Sequence, residues 1–233
     1  MAKKLFSADD FDKHLSIGDE LSFDKPELTR LRVDLTWAGT DLDICAFLLD
    51  KDGLINEKAD LVYFKSALRW KTKKGFTDPD FNPLEGDFST WPAPGFKNPQ
   101  KWMDATLPIS RDGAVIGSWD DMGSDECGES MHILLDEVDT SKHFSIVLAA
   151  AVAKDKIKMG ETFADAHDPI VTIYNAETDE VIAEYKLASE FVGKDAVCFG
   201  KLEFEHDTFI WNFIPMADGY KGGMEYLARE IFD

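Results

Sequence analysis

The run Leu31-Arg32-Val33-Asp34-Leu35-Thr36-Trp37 alternates apolar and polar side chains at every step. A period of two places Leu31, Val33, Leu35 and Trp37 on one face of an extended chain, so it predicts a half-buried strand. After the turn Ala38-Gly39-Thr40, the triplet Asp41-Leu42-Asp43 opens a second run. That run ends almost wholly apolar through Ile44-Cys45-Ala46-Phe47-Leu48-Leu49, as expected of a central strand. Asp50-Lys51-Asp52-Gly53 is a hairpin signal, and Leu61-Val62-Tyr63-Phe64 supplies the next strand. Residues 114–116, 133–135, 169–174, 181–187, 196–204 and 208–214 carry further strand signals, with turns at 111–113, 175–180 and 206–207. Residues 15–23 read as strand, turn and strand about Gly18-Asp19. The apolar segment 143–153 fits a strand or a buried helix by period alone. Its β-branched Ile146, Val147 and Val152, and the strands on either side, favour a strand. Two short helices are expected, one in residues 1–14 with Ser7 and Asp10 as a capping pair, and one over 224–232 after Gly222-Gly223. Many short strands separated by turns predict an all-β fold, an antiparallel β-sandwich with a few short helices.

One region breaks the pattern. Residues 67–108 hold six of the nine prolines and three of the six tryptophans, Trp70, Trp91 and Trp102. Proline at that density excludes central strands and long helices. The segment reads as a surface excursion from a single domain spanning residues 1–233, with its two ends close together. A structureless loop of that length is unusual, so its aromatics are expected to pin it to something.

Composition narrows the function. The chain is 44% hydrophobic and 12% aromatic, enough for a substantial core, and its 45 acidic against 25 basic residues give a net charge of -20. That balance argues against nucleic-acid or anionic-membrane partners and favours cations or basic partners. The basic start Met1-Ala2-Lys3-Lys4-Leu5 lacks the apolar stretch of a signal peptide. The longest apolar stretch, 146–153, is too short to span a bilayer. Three cysteines without a C-x-x-C pair support neither a zinc ribbon nor a redox motif, and fit a reducing cytoplasm.

The chemistry concentrates in Ser118-Trp119-Asp120-Asp121-Met122-Gly123-Ser124-Asp125-Glu126-Cys127-Gly128-Glu129-Ser130-Met131-His132-Ile133. No apolar period is evident, so the stretch reads as a loop. Its five carboxylates, Asp120, Asp121, Asp125, Glu126 and Glu129, repel each other unless solvent or a cation neutralises them. Ca²⁺ takes six to eight oxygen ligands at flexible geometry, and the loop is read as half of a calcium site. Asp41 and Asp43 form the other half, since positions two apart on a strand leave the same face. The spacing is not that of an EF-hand, so such a site must be assembled from separate segments; a solvated acidic loop is the plain alternative. The five histidines form no H-E-x-x-H, and no G-x-S-x-G elbow, P-loop or dinucleotide fingerprint occurs. A carbohydrate-binding or carbohydrate-active sandwich, with Trp70, Trp91 and Trp102 as a stacking platform, is the rival from another class. A protein-interaction module docking through the excursion is a third.

Taken together, several stretches resemble the TerD family of tellurium-resistance and general-stress proteins. The family's Leu-x-x-Gly-(Asp/Glu)-x-Leu-Ser-Leu opening is matched by residues 15–23, and its Leu-x-Trp strand by Leu35-Thr36-Trp37. Its Asp-Leu-Asp-x-x-Ala-Phe-Leu-Leu run is matched by residues 41–49. Its acidic loop aligns without gaps on residues 119–131, and its closing Trp-x-Phe and glycine motif is echoed by Trp211-Asn212-Phe213 and residues 219–224. Residues 67–108 look like an insertion. The acidic loop departs from the family pattern at Asp121, which replaces an asparagine, at Glu129, which replaces an aspartate, and at Ser130 and Met131, which replace two acids. The resemblance implies a β-sandwich binding calcium between the Asp-Leu-Asp strand and the acidic loop, with one of the family's two sites weakened or lost. It also implies a non-catalytic scaffold role in cytoplasmic stress resistance, with protein partners in a stress-response complex. The ligand set that follows is Asp41, Asp43, Asp120, Asp121, Asp125 and Glu129, completed by backbone carbonyls near Met122 and Gly128.

Overall fold

The computed structural model describes residues 5–7, 14–24, 28–66, 68–71, 87–90, 106–120, 127–187 and 191–232. Two antiparallel sheets face each other. The first runs in the order β1 (Leu5–Ser7), β2 (Glu20–Phe23), β15 (Ile210–Tyr220), β14 (Ala196–Glu205), β11 (Ser145–Val152), β4 (Leu42–Leu49) and β5 (Leu61–Val62). The second has the order β13 (Glu180–Lys186), β12 (Ala166–Asn175), β3 (Arg30–Gly39), β10 (Cys127–Leu134) and β9 (Val115–Gly117). Among the described residues, all pairings between these strands are antiparallel except β1 on β2. The fold is the all-β sandwich expected.

Strand β3 buries Leu31, Val33, Leu35 and Trp37, the four positions its alternation selects. β4 and β11 are buried at every residue, because their two faces serve two cores. Leu42, Ile44, Ala46 and Leu48, with Ile146, Leu148, Ala150 and Val152, pack between the sheets. Cys45, Phe47 and Leu49, with Val147, Ala149 and Ala151, form a second core on the outside. The chain's closing segment, a short helix (Gly223–Tyr226) running into a π turn (Leu227–Ile231), covers that outer core. Leu227 is fully buried there, and the Phe232 ring meets that of Phe47 at 4.5 Å. The closing helix expected at 224–232 is therefore present, and it explains why these strands could not afford an exposed polar face.

Three expectations are corrected. Leu5–Ser7 is extended and pairs in parallel with Glu20–Ser22, so the helix expected in residues 1–14 does not include residues 5–7, and Asp10 lies outside the described residues. In 15–23 only Glu20–Phe23 is a strand; Leu15 is tied instead to β13, its amide donating to Glu184 O at 3.0 Å. The stretch 118–133 is not all loop, because Cys127–Leu134 is strand β10, paired with β3 along its whole length.

The proline-rich excursion carries a small sheet of its own, in the order β7 (Asp87–Thr90), β6 (Leu68–Lys71) and β8 (Thr106–Pro108). Pro108 sits in an outer strand, where a missing amide donor is tolerated. Trp70, Leu107, Ile109 and Ile116 make a separate apolar cluster against which Leu68 and Trp119 pack. Arg69 is 2% exposed. Its Nε donates to Thr106 Oγ1 at 2.8 Å, one Nη to Thr106 O at 2.9 Å and the other to Phe64 O. This buried guanidinium ties both ends of the excursion to the chain leaving β5. Burial lowers its pKa to about 10, still far above neutrality. Trp91 and Trp102 lie outside the described residues.

The two sheets are tied where Tyr185 of β13 meets β14 and β15 of the opposite sheet. A Cβ added to Gly200 would lie 2.5 Å from Cζ of Phe213, which is fully buried, beneath Tyr185, whose hydroxyl donates to Phe199 O. Gly200→Ala is expected to lower unfolding stability by about 1–3 kcal/mol in denaturant titration, the usual cost of overpacking a filled core. Unchanged stability would show that the ring has room to move.

Candidate metal centre

The turn between β3 and β4 carries the chain from one sheet to the other. Gly39 makes it possible: its φ is +96°, and a Cβ there would lie 2.4 Å from Asp165 O, so only glycine fits. The buried Trp37 ring fixes the turn from inside, donating from Nε1 to Thr40 O at 2.8 Å. Asp41 and Asp43 follow at once, both buried, at 7% and 6% exposure. By alternation Asp43 shares the outer face of the sheet with Cys45 and Phe47.

β5 pairs with only Ala46 and Phe47 of β4. Beyond its end no strand among the described residues flanks β4 on that side, and β10 of the opposite sheet supplies an acceptor. Glu129 is 3% exposed and takes the amide of Ile44 on Oε2 at 2.7 Å. Asp120, exposed at the end of the segment after β9, closes the group. Carboxylate oxygens of Asp43, Asp120 and Glu129 all lie within 4.8 Å of one another.

Concentrating carboxylates here has an electrostatic cost. Burial, then the charges of Asp120 and Asp41, push the Asp43 pKa up to about 8, against the opposing charge of Lys65. Asp43 is thus held by the fold in a place where it resists ionising unless a cation is present. The donor set is all oxygen, which suits a hard dication such as Ca²⁺ and is a poor match for soft metals.

Of the six residues expected as ligands, Asp43, Asp120 and Glu129 come together. Asp41 lies outside that group of three but close enough for its charge to act on Asp43. Asp121 and Asp125 lie outside the described residues, as does Met122. Glu129 reaches the site as an inward-facing strand residue rather than a loop ligand. The alternation Cys127, Glu129, Met131, Ile133 was present in the sequence and marks that strand. Trp119, next to Asp120, packs on the cluster of Trp70 and Leu107, so the excursion buttresses one arm of the site.

An antiparallel two-sheet sandwich with an acidic cluster at the half-covered edge of a central strand defines the class. The chain belongs to the TerD family: the TerD domain matches residues 107–231. General stress protein 16U of Bacillus subtilis (strain 168) is 22% identical over 219 residues, covering 91% of each chain. Two solved structures share the fold. One, a protein of unknown function, has a TM-score of 0.57 at 18% identity, over 86% of this chain and 95% of its own. The other, a homologue of the telluride resistance protein TerD from Streptomyces coelicolor A3(2), has a TM-score of 0.52 at 16% identity, over 87% of this chain and 96% of its own.

Two outcomes follow for metal-free protein. Glu129→Ala leaves a buried amide at Ile44 without its acceptor and is expected to cost about 1–3 kcal/mol, whereas Glu129→Gln, which keeps an acceptor oxygen, costs much less. Equal losses in denaturant melts would show that the bond to Ile44 does not matter. The raised pKa of Asp43 has a definite sign. The native state holds a proton that the unfolded chain has already released, so the contribution of this group to stability is full below the ordinary carboxylate range and is lost as pH rises through about 8. In chelator at pH 9, Asp43→Asn should therefore be more stable than the natural protein by more than about 1.4 kcal/mol, the equivalent of one pH unit. Parallel pH profiles for the two proteins would refute this.

Proposed function

We propose that this TerD-family chain is a calcium-binding, non-catalytic module of the stress response, acting as a scaffold whose acidic site is set by the metal. The observation that carries the reading is the convergence of Asp43, Asp120 and Glu129 from three separate segments to within 4.8 Å. Ca²⁺ would neutralise carboxylates that otherwise resist ionising together, and would hold β4, β10 and the segment after β9 as one unit. Asp41, Asp121 and Asp125 are the further ligands proposed. The net charge of -20 draws cations toward the molecule and disfavours anionic targets. The stress-response role rests on the family and on the general stress protein relative. A cytoplasmic location is proposed with it; among the described residues no helix is long and apolar enough to cross a membrane. The carbohydrate reading loses support at Trp70, which is 2% exposed and offers no open face to a sugar ring.

Calorimetric titration of metal-stripped protein with Ca²⁺ and Mg²⁺ tests the proposal. Saturable Ca²⁺ binding is expected, with stability raised by about 2.7 kcal/mol at a hundredfold excess over the dissociation constant. Asp43→Asn and Glu129→Gln should each remove most of the calcium-dependent rise in melting temperature. A rise that survives both substitutions would show that these residues are not ligands, and no binding at all would refute the calcium assignment.

A further inference from the structure

A second polar centre lies at the opposite pole of the sandwich. His143 precedes β11, whose Ser145 pairs with Leu49 at the far end of β4, while Asp43 pairs with Ala151. Six strand positions separate them, about 20 Å at 3.3 Å per residue. His143 is 5% exposed and forms part of the wall of a cleft of about 610 Å³. Its Nδ1 lies 3.3 Å from Asp112 Oδ2, and its Nε2 lies 3.2 Å from Asp60 Oδ1.

Both carboxylates are themselves anchored. Asp60 Oδ2 accepts the amides of Asn56 and Glu57 at 2.9 Å each. Asp112 Oδ1 accepts Ser110 Oγ at 2.6 Å and the Ala114 amide at 3.1 Å, and its Oδ2 accepts the amide of Asp139 at 3.2 Å. One ring thus joins three segments distant in sequence: the turn before β5, the turn between β8 and β9, and the connection between β10 and β11.

A neutral imidazole has one N–H and one lone pair. With a carboxylate oxygen at each nitrogen, the neutral ring would set its lone pair against an anion, whereas the imidazolium donates to both. The other charges around the cleft are engaged elsewhere. Lys51 pairs with Asp52 at 2.5 Å, Arg111 with Glu57 at 2.5 Å, and Lys142 with Asp139 at 2.7 Å, while Asp50 accepts the amides of Asp52 and Leu54.

We propose that His143, carrying both protons, is a latch that closes this pole, and that loss of one proton releases the three segments and opens the cleft. Burial works against the charge on His143, but the hydrogen bonds and charges of Asp112 and Asp60 outweigh it and raise its pKa above 6.5. Burial likewise works against a charged Asp112, yet the bonds from His143, Ser110, Ala114 and Asp139 hold its pKa below the ordinary range. The sign follows: the latch is fully engaged below the pKa of an unfolded histidine and is lost as pH rises through the raised, folded value.

The test is NMR on the full chain from pH 5 to 9. It follows the His143 ring nitrogens together with hydrogen-exchange protection factors for the amides of Asn56, Glu57 and Asp139. The ring is expected to titrate above 6.5. Protection of the three amides should fall about tenfold or more through the same midpoint, the equivalent of one charge-assisted hydrogen bond. In His143→Gln protection should be low and independent of pH, while the amides shared by β4 and β11 stay protected. A ring that titrates at or below 6.5, or protection that is flat with pH in the natural protein, overturns the proposal. Should His143→Gln fail to fold, the two measurements on the natural protein still decide it.

Discussion

The site depends on one hydrogen bond across the sandwich, from the amide of Ile44 to the carboxylate of Glu129. A central strand whose neighbour stops short leaves amides that need acceptors, since a buried unpaired amide costs as much as a lost bond. This chain meets the need with a charged side chain from the opposite sheet. That choice brings a negative charge to the point where the Asp-Leu-Asp turn delivers Asp43, and Asp120 closes in from the segment after β9. Structural satisfaction of one amide thus assembles an anionic cluster, and the cluster's raised Asp43 pKa is the electrostatic mark it leaves.

The rest of the architecture holds that edge still. Gly39 and Trp37 fix the turn that feeds Asp41 and Asp43 into β4. The closing helix covers the outer face of β4 and β11, so the strand carrying Asp43 is packed from both sides. The excursion, anchored by the Arg69 guanidinium and the Trp70 cluster, supports Trp119 beside Asp120. A segment that looked like an insertion into the domain therefore contributes to the placement of one of its acids. At the far pole a single imidazole bridging two carboxylates performs a comparable tying role, but with a charge that solution pH controls.

Much of this was legible in the residues. Alternation in Leu31-Arg32-Val33-Asp34-Leu35-Thr36-Trp37 located the inward face of β3, and the unbroken apolar runs 44–49 and 146–153 located the two strands buried on both faces. The Asp-Leu-Asp spacing and the acid-rich loop pointed to the corner where Asp43, Asp120 and Glu129 lie together. The boundary within 118–133 is not legible: charge and glycine content mask a period of two in Cys127, Glu129, Met131 and Ile133, so the local pattern gives a loop where the fold has a strand. The link between Glu129 and Ile44 was beyond reach, because it spans 85 positions and depends on how short β5 is. The same holds for His143, whose partners Asp60 and Asp112 are 83 and 31 positions away. Local pattern reports the face of a strand; it does not report which distant acid meets it.

The most direct test of the central claim is a two-dimensional amide NMR titration of the metal-stripped protein with Ca²⁺, following Ile44. Its N–H donates to Glu129, so a dication drawing charge from that carboxylate must change the amide's environment. Ile44 and Asp43 are expected to shift in a saturable way, while amides of β12 and β13, on the far edge of the opposite sheet, stay in place. Saturable calcium binding that leaves Ile44 and Asp43 unmoved would contradict the account.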